Sequence, residues 1–273
     1  MMSLELMGPA PCGFVVGTKY CIAARDAMVF GLYNFRVTDL TTRLTQQTLL
    51  LDADDTLWEN NIYFERAITA FISYLDHRVH APDEVREHLN HCERATIAKH
   101  GYGLQSFRRS LVDCFEQLSD APITPERHAR IVAFTEAIAA QEIELLPGVD
   151  VTLAELSRRH TLVMVTKGNV DEQTDKLERS GLRPHFSAVE VLAEKNVAAY
   201  TELVSRHGWD VKTTWMIGNS PKSDVNPALG AGLNAVFIPH DSTWALEHET
   251  VDRPSGQQRL MEMGALTELT NTF

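Results

Sequence analysis

Two aspartates, Asp52 and Asp54, close the apolar run Leu49-Leu50-Leu51. Side chains alternate along extended backbone, so both carboxylates can face one pocket while Ala53 points elsewhere. Two like charges so placed in a dry site are unfavourable, and either one holds a proton or a cation sits between them. Both outcomes serve catalysis. A carboxylate held by a metal can attack as a nucleophile, and a neighbouring acid can protonate the group it displaces. The competing reading is a solvated acidic turn, but surface turns seldom follow so apolar a run.

Three more stretches bring reactive groups to the ends of apolar runs or the starts of helices. Leu162-Val163-Met164-Val165 ends in the Thr166 hydroxyl, and Lys167-Gly168-Asn169 then leads into a helix. N–H groups at such a helix start, with Thr166, would cradle a phosphate, although a threonine at a strand end is also an ordinary structural choice. Lys195 stands at the start of a helix, where a cation is disfavoured unless something anionic compensates it or water solvates it. Trp215-Met216-Ile217 breaks into Gly218-Asn219-Ser220 and runs on to Asp224, hard oxygen donors suited to Mg²⁺.

The elements that must position these groups follow from periodicity. Leu49 to Leu51 are too few for a helix and apolar on every side, as expected of a strand buried on both faces of a parallel sheet. Ligands of such sheets sit at the carboxyl ends of the strands. After Leu146-Pro147-Gly148 the pattern predicts helix 150–159, strand 161–166, a helix from 171 to Gly181 and strand 187–191. A helix 195–207 closed by Gly208, strand 213–217, a helix ending at Gly232 and strand 235–238 complete it. This alternation predicts an α/β fold, a doubly wound parallel sheet with right-handed crossovers.

Residues 60–144 interrupt that sheet and read as all-helical. Phe64, Ile68, Phe71, Ile72 and Leu75 share one helical face, as do Phe107, Leu111, Phe115 and Leu118. Thr124-Pro125 is an N-cap with a first-turn proline, opening a helix with Ile131, Phe134 and Ile138. These stripes are expected to form the core of a small bundle. The expected division is a core of 47–59 and 146–273, a helical insertion at 60–145, and an N-terminal extension at 1–46. Gly8, Pro9, Pro11 and Gly13 break any period there, so the extension is either partly disordered or packed on the sheet or on a partner subunit of a homodimer.

The chain has 273 residues, 44% of them hydrophobic, with a net charge of -12, so it can bury a sizeable core and repels nucleic acid polymers. Cys12, Cys21, Cys92 and Cys114 lack the spacing of a disulfide framework or a zinc site, and a reducing cytoplasm is expected. No apolar run reaches membrane-spanning length, and no basic segment precedes the first apolar residues, so neither a membrane nor secretion is indicated.

Asp52-x-Asp54-x-Thr56 after an apolar strand resembles the first signature of the haloacid dehalogenase superfamily, most of whose members are Mg²⁺-dependent phosphatases. Thr166, Lys195 and the stretch Gly218 to Asp224 match the second, third and fourth signatures in order, over residues 47–240. The chain departs from the pattern at Asn219, where the family has Asp, and at Asp55, where it usually has Gly.

The resemblance implies a Rossmann-like core with an inserted helical C1 cap, a lid hinged near 58–60 and 146–148 that excludes water and chooses the substrate. It implies Asp52 as nucleophile, giving an aspartyl-phosphate, with Asp54 protonating the leaving oxygen and later deprotonating water. Thr166, Lys195 and backbone amides would hold the phosphoryl oxygens. Mg²⁺ would be held by Asp52, the Asp54 main-chain carbonyl, and Asn219 or Asp224. The Asn219 amide oxygen is a weaker ligand than a carboxylate, and Asp55 offers compensating negative charge nearby.

The expected substrate is a small phosphorylated metabolite. Lys167, Gly168 and Asn169 from the core and Tyr102 and Arg108 from the cap are its candidate contacts, with His100 and Arg109 near them. An arginine reaching the site would ask for a second anionic group on the substrate. His240, Asp241 and Trp244 are expected at the rim. Two alternatives stand beside the phosphatase. A 2-haloacid dehalogenase needs neither metal nor leaving-group acid, so Asp54 counts against it. A phospho-accepting or binding relative that lost catalysis through Asn219 would need no lid.

Overall fold

A computed structural model describes residues 43–75 and 79–273; the N-terminal extension up to residue 42, with Cys12 and Cys21, lies outside the described residues. Six strands, β1 (Thr48–Leu51), β2 (Thr161–Lys167), β3 (Ala188–Leu192), β4 (Thr214–Gly218), β5 (Asn234–Phe237) and β6 (Leu260–Glu262), form one parallel sheet. Its order is β3-β2-β1-β4-β5-β6, with Leu51 opposite Met164 on one side and Ile217 on the other. The chain builds outward from β1 in one direction and then in the other. The crevice at the carboxyl ends of β1, β2 and β4 is therefore the topological switch point, where such sheets bind ligands.

Leu49, Leu50 and Leu51 are wholly buried, which is why an unbroken apolar run suits this position. Four helices follow β1: α1 (Asn61–Tyr74), α2 (Pro82–His100), α3 (Leu104–Leu118) and α4 (Pro125–Ala139). The rest alternate with strands: α5 (Val149–Leu156), α6 (Val170–Ser180), α7 (Val197–His207), α8 (Asn226–Gly230) and the terminal α9 (Leu269–Thr272). Leu49 and Leu51 pack with Leu153 and Leu156 of α5, Leu177 of α6 and Phe273. Leu50 turns to the other face, toward Tyr200 and Leu203 of α7 and Ala228 of α8. The strand period of two thus feeds two layers of helices, as a doubly wound sheet requires.

The helical block has its own core, in which Phe71, Leu89, Leu111 and Ile131 come one from each of α1 to α4. It joins the sheet through two adjacent strands of chain. Trp58 bridges Leu145 antiparallel, Glu59 N–H donates to Glu144 O at 2.9 Å and Leu146 N–H to Leu57 O at 3.0 Å. No helix among the described residues is long and apolar enough to cross a membrane.

Three elements differ from expectation. α2 was not separated within the helical stretch because its inner face mixes Val85 and Leu89 with Asn90, Glu93 and Thr96, all buried. β6 is a three-residue edge strand, too short for alternation to show. The helix expected to end at Gly232 is a π-helical turn, Pro221–Val225, running into α8. Its Val225 N–H donates to Ser220 O at 3.1 Å, a wider turn that aims Asp224 back at the sheet.

Leu50→Ala should leave a cavity between the sheet and α7. Urea denaturation is expected to show a loss of ~3 kcal/mol, and a loss well below 1 kcal/mol would contradict the packing.

Candidate active site

Strand geometry brings Asp52 to the switch point, where its N–H donates to Ile217 O at 2.9 Å and extends the ladder one residue beyond β1. The helix predicted from residue 195 begins instead at Val197, with Asn196 as its cap, accepting from Ala199 N–H at 2.9 Å. Lys195 consequently lies in the loop between β3 and α7 and reaches the carboxyl ends of the central strands. Its ammonium donates to Asp52 Oδ1 and, at 2.7 Å, to Asp224 Oδ1, and the two ion pairs are almost fully buried. The anionic compensation expected for this lysine is these two carboxylates.

Asp224 reaches this point because Gly218 has no side chain. A Cβ there would come within 2.2 Å of Asp224 Oδ2. The same oxygen accepts from Ser220 N–H at 3.0 Å. Thr56 closes the other side, its hydroxyl 3.0 Å from Asp52 Oδ2 and 3.3 Å from Asn219 Oδ1. The Asn219 amide nitrogen donates outward to Thr243 Oγ1 at 3.0 Å, which turns its oxygen inward.

One cation thus serves two buried carboxylates. Burial lowers the proton affinity of Lys195, but the charges of Asp224 and Asp52 more than reverse this and raise its pKa. Burial, and then the Asp52 charge, push the Asp224 carboxyl up despite Lys195. The surplus negative charge and the converging oxygens of Asp52, Asn219 and Thr56 fit a hard divalent cation. Asp52 and Asp224 each have both oxygens engaged once, so an ion held here would draw on their remaining lone pairs and on the Asn219 oxygen. Asp55, Glu59 and His240 also bring ligand atoms within 4.8 Å of one another. The Asp55 oxygens, however, already accept from Asn60 and Asn61 N–H at 2.9 and 3.0 Å, capping α1. This capping accounts for the departure from glycine: Asp55 adopts φ 60° and gains a helix terminus in return. Burial pushes its carboxyl up to about 7.

Asp54 lines the same cleft. Its carboxylate accepts from Trp58 Nε1 at 2.7 Å, Lys176 Nζ at 2.8 Å and Gln173 Nε2 at 2.9 Å. Burial alone would raise its pKa, but Lys176 and these hydrogen bonds lower it overall.

Thr166 lines the cleft nearly without exposure, and its hydroxyl makes only a 3.5 Å contact with Lys167 O. The other predicted contacts are largely engaged within the protein. Gly168 N–H donates to Leu192 O at 3.2 Å. The Asn169 side chain caps α6, accepting from Asp171 and Glu172 N–H at 3.0 and 3.1 Å. The expected cradle of helix-start N–H groups is therefore largely filled from within. Lys167 donates to Glu247 at 2.6 Å and Ser223 at 2.8 Å, beneath the Tyr102 ring. Tyr102 lines the cleft and donates to Glu194 Oε2 at 2.7 Å.

Arg108 does not line the cleft. Its Nε donates to Thr135 Oγ1 at 2.8 Å on α4, because one residue after Phe107 the helix has turned by about 100°, away from the cleft. Trp244, expected at the rim, lines the cleft. Sequence reading missed Glu247, which binds Lys167 and accepts from the Ser220 and Ser223 hydroxyls. A single glutamate in a connecting stretch carries no signal of its own. Glu93 was missed too. It is 6% exposed on α2, lines the cleft, and its Oε2 has no hydrogen-bond partner.

The family model for haloacid dehalogenase-like hydrolases matches residues 46–232. The chain belongs to this family. This hydrolase is 32% identical over 129 residues to a phosphoserine phosphatase of Thermus thermophilus, covering 45% of the chain and 51% of that protein. It is 29% identical over 124 residues to the pyrimidine 5'-nucleotidase PynA of Streptococcus pneumoniae, covering 42% and 51%. The match thus spans about half the length of these curated relatives. A haloacid dehalogenase-like hydrolase structure from Xanthomonas campestris superposes with TM-score 0.70 at 29% identity, covering 82% of this chain and 89% of that one. The L-2-haloacid dehalogenase of Xanthobacter autotrophicus shares the fold, with TM-score 0.57, 14% identity, and 82% and 96% of the two chains covered.

Lys195→Met should leave two carboxylates facing each other without a cation. Thermal unfolding is expected to show a loss on the order of 3 to 5 kcal/mol, partly restored when Asp224→Asn is added; an additive double variant would deny the coupling. Glu93 offers a pH test. Burial raises its carboxyl from 4.5 to about 7 in the folded chain. Between those values the folded state holds a proton that the unfolded state has lost, so stability should fall as pH rises, by on the order of 3 kcal/mol in all. Glu93→Gln should flatten that part of the stability profile, and an unchanged slope would remove Glu93 as its source.

Proposed function

We propose that this hydrolase is a Mg²⁺-dependent phosphatase acting on a small phosphorylated metabolite through an aspartyl-phosphate. The observation that carries this reading is Asp54, lining the same cleft as Asp52 and two residues after it. A dehalogenase displaces halide without an acid and has no use for such a group. Asp52 attacks phosphorus in line, and the bond to the leaving oxygen breaks as that oxygen takes a proton from Asp54. Water then attacks the same phosphorus, its proton passes to Asp54, and Asp52 is released with inorganic phosphate.

The three donors around Asp54 hold it in the ionised form, which is the form the second step requires. For the first step it must gain a proton. A phosphoryl dianion entering beside it raises its proton affinity, since like charges disfavour its ionised state. Thr166, whose hydroxyl makes only a long contact with Lys167 O, and Lys195, bound to the nucleophile, would hold the transferring oxygens. Asp52 and Asn219 would hold Mg²⁺, which supplies charge neutralisation at the phosphoryl oxygens. Tyr102 stands at the cleft wall for contact with the leaving group. The phosphatase and nucleotidase relatives support the same class of chemistry, and a soluble cytoplasmic enzyme is the setting this reading implies.

With Mg²⁺ the full chain should hydrolyse p-nitrophenyl phosphate, chelation should abolish turnover, and Asp52→Asn should lower kcat at least about a thousandfold. Activity surviving in that variant, or chloride release from 2-chloropropionate as fast as phosphate release, would overturn the assignment.

A further inference from the structure

The helical block supplies one wall of the cleft, a mixed wall in which apolar side chains surround a single carboxyl. Phe64 and Ile68 of α1 and Phe107 of α3 line it, the two phenyl rings edge to face with centroids 5.0 Å apart. Glu93 of α2 also lines it, nearly nineteen-twentieths buried at 6% exposure, and its Oε2 has no hydrogen-bond partner. Of the two cations near it, Arg86 and Arg94, the first is spent elsewhere. Arg86 donates both terminal nitrogens to Glu65 at 2.7 and 2.8 Å and its Nε to Asn90 at 3.2 Å. Ser106 of α3 lines the same wall, 5% exposed, and its hydroxyl is not engaged within the described residues.

An orphaned carboxyl in such a wall is destabilising, and such groups persist where a ligand completes them. Burial pushes this one up to about 7, with the charges of Arg86 and Arg94 offsetting only part of the effect, and no ion pair to it forms among the described residues. The cleft is lined by the cations Lys167, Lys176 and Lys195 and by no arginine among the described residues. Lys167 and Lys176 are bound to Glu247 and Asp54, and Lys195 to Asp52. The helical wall therefore offers no free cation for a second anionic group, and with Arg108 turned to Thr135 the substrate need not carry one.

We propose that Glu93 and Ser106 form a subsite for an ammonium group on an otherwise apolar leaving alcohol, so that the enzyme prefers phosphate esters of amino alcohols. An ammonium has donors for both the Glu93 carboxyl and the Ser106 hydroxyl oxygen, compensates the buried charge, and gains from the adjacent phenyl rings. A neutral amide would satisfy the hydrogen bond and leave the charge uncompensated. This subsite rests on the phosphatase reading for the word substrate, but its binding chemistry can be tested without turnover.

The test compares 4-aminobutyl phosphate with pentyl phosphate, near-isosteric esters that differ in an ammonium against a methyl group. Wild type should favour the amine at least tenfold in kcat/KM. Glu93→Gln should bring that ratio close to one, Glu93→Asp should restore part of it, and Ser106→Ala should lower it severalfold. A second arm measures ligand-observed NMR binding of 4-aminobutanol and pentanol to the same proteins. Selective binding of the amine that is lost in Glu93→Gln supports the subsite even if no ester is hydrolysed, and in that case only the phosphatase reading fails. Equal treatment of amine and alkane by wild type, or a preference that persists in Glu93→Gln, overturns the subsite whatever the turnover.

Discussion

A single ammonium, that of Lys195, stands between two buried carboxylates at the point where the strand order reverses. Taking three charges out of water is costly, and the arrangement is supported by a further donor to each carboxylate. Thr56 meets Asp52, the Ser220 amide meets Asp224, and the Asn219 oxygen turns toward Thr56 rather than away. Much of the surrounding backbone follows from this. Gly218 must lack a side chain, the π-helical turn must carry Asp224 back toward β4, and Asn196 must start α7 one residue beyond the lysine.

How much was legible depended on whether a group's role is set by its neighbours in sequence or in space. β1 was legible because burial on both faces leaves one kind of residue, and Leu49 to Leu51 show it without a turn or a cap nearby. The stops at Gly181 and Gly208 were legible because only a left-handed residue ends those helices, at φ 72° and 66°. α2 was not, since Glu93 and Asn90 interrupt its inner stripe for reasons that lie in the cleft and in Arg86. Asp52, Thr166, Lys195, Asn219 and Asp224 could be placed because each ends a strand or borders a helix. Glu247 and Gln173 could not: their partners, Lys167 and Asp54, lie 80 and 119 residues away. Arg108 shows the converse error, where the right stretch was identified but one residue of helical rotation decides which side chain meets the cleft.

Asp54 links the two structural layers of the site. Its partners are Trp58, in the strand that leads out to the helical block, and Gln173 and Lys176, on α6 of the core. Lys176 also donates to Asn60 Oδ1 at 2.8 Å, at the foot of α1. The Asn61 side chain donates in turn to Ser242 O at 2.7 Å, in the segment after β5. The carboxylate that would exchange protons with substrate is therefore held by the same contacts that seat α1 on the core. Lys176 is the shared contact, joining the foot of that helix to Asp54.

The two departures from the family pattern then have separate explanations. A carboxylate at position 219 would add a third negative charge within reach of one ammonium. An amide keeps an oxygen facing Asp52 without that charge, and Thr243 fixes its orientation. Asp55 was expected to restore the missing charge. Its oxygens instead face the first N–H groups of α1, away from Thr56 and Asn219, where a helix terminus favours an anion. So the pocket around Lys195 is less negative than the family pattern would make it. On the phosphatase reading it would then bind a divalent ion more weakly, and the weight of holding a transferring phosphoryl group would shift toward Lys195 and Thr166.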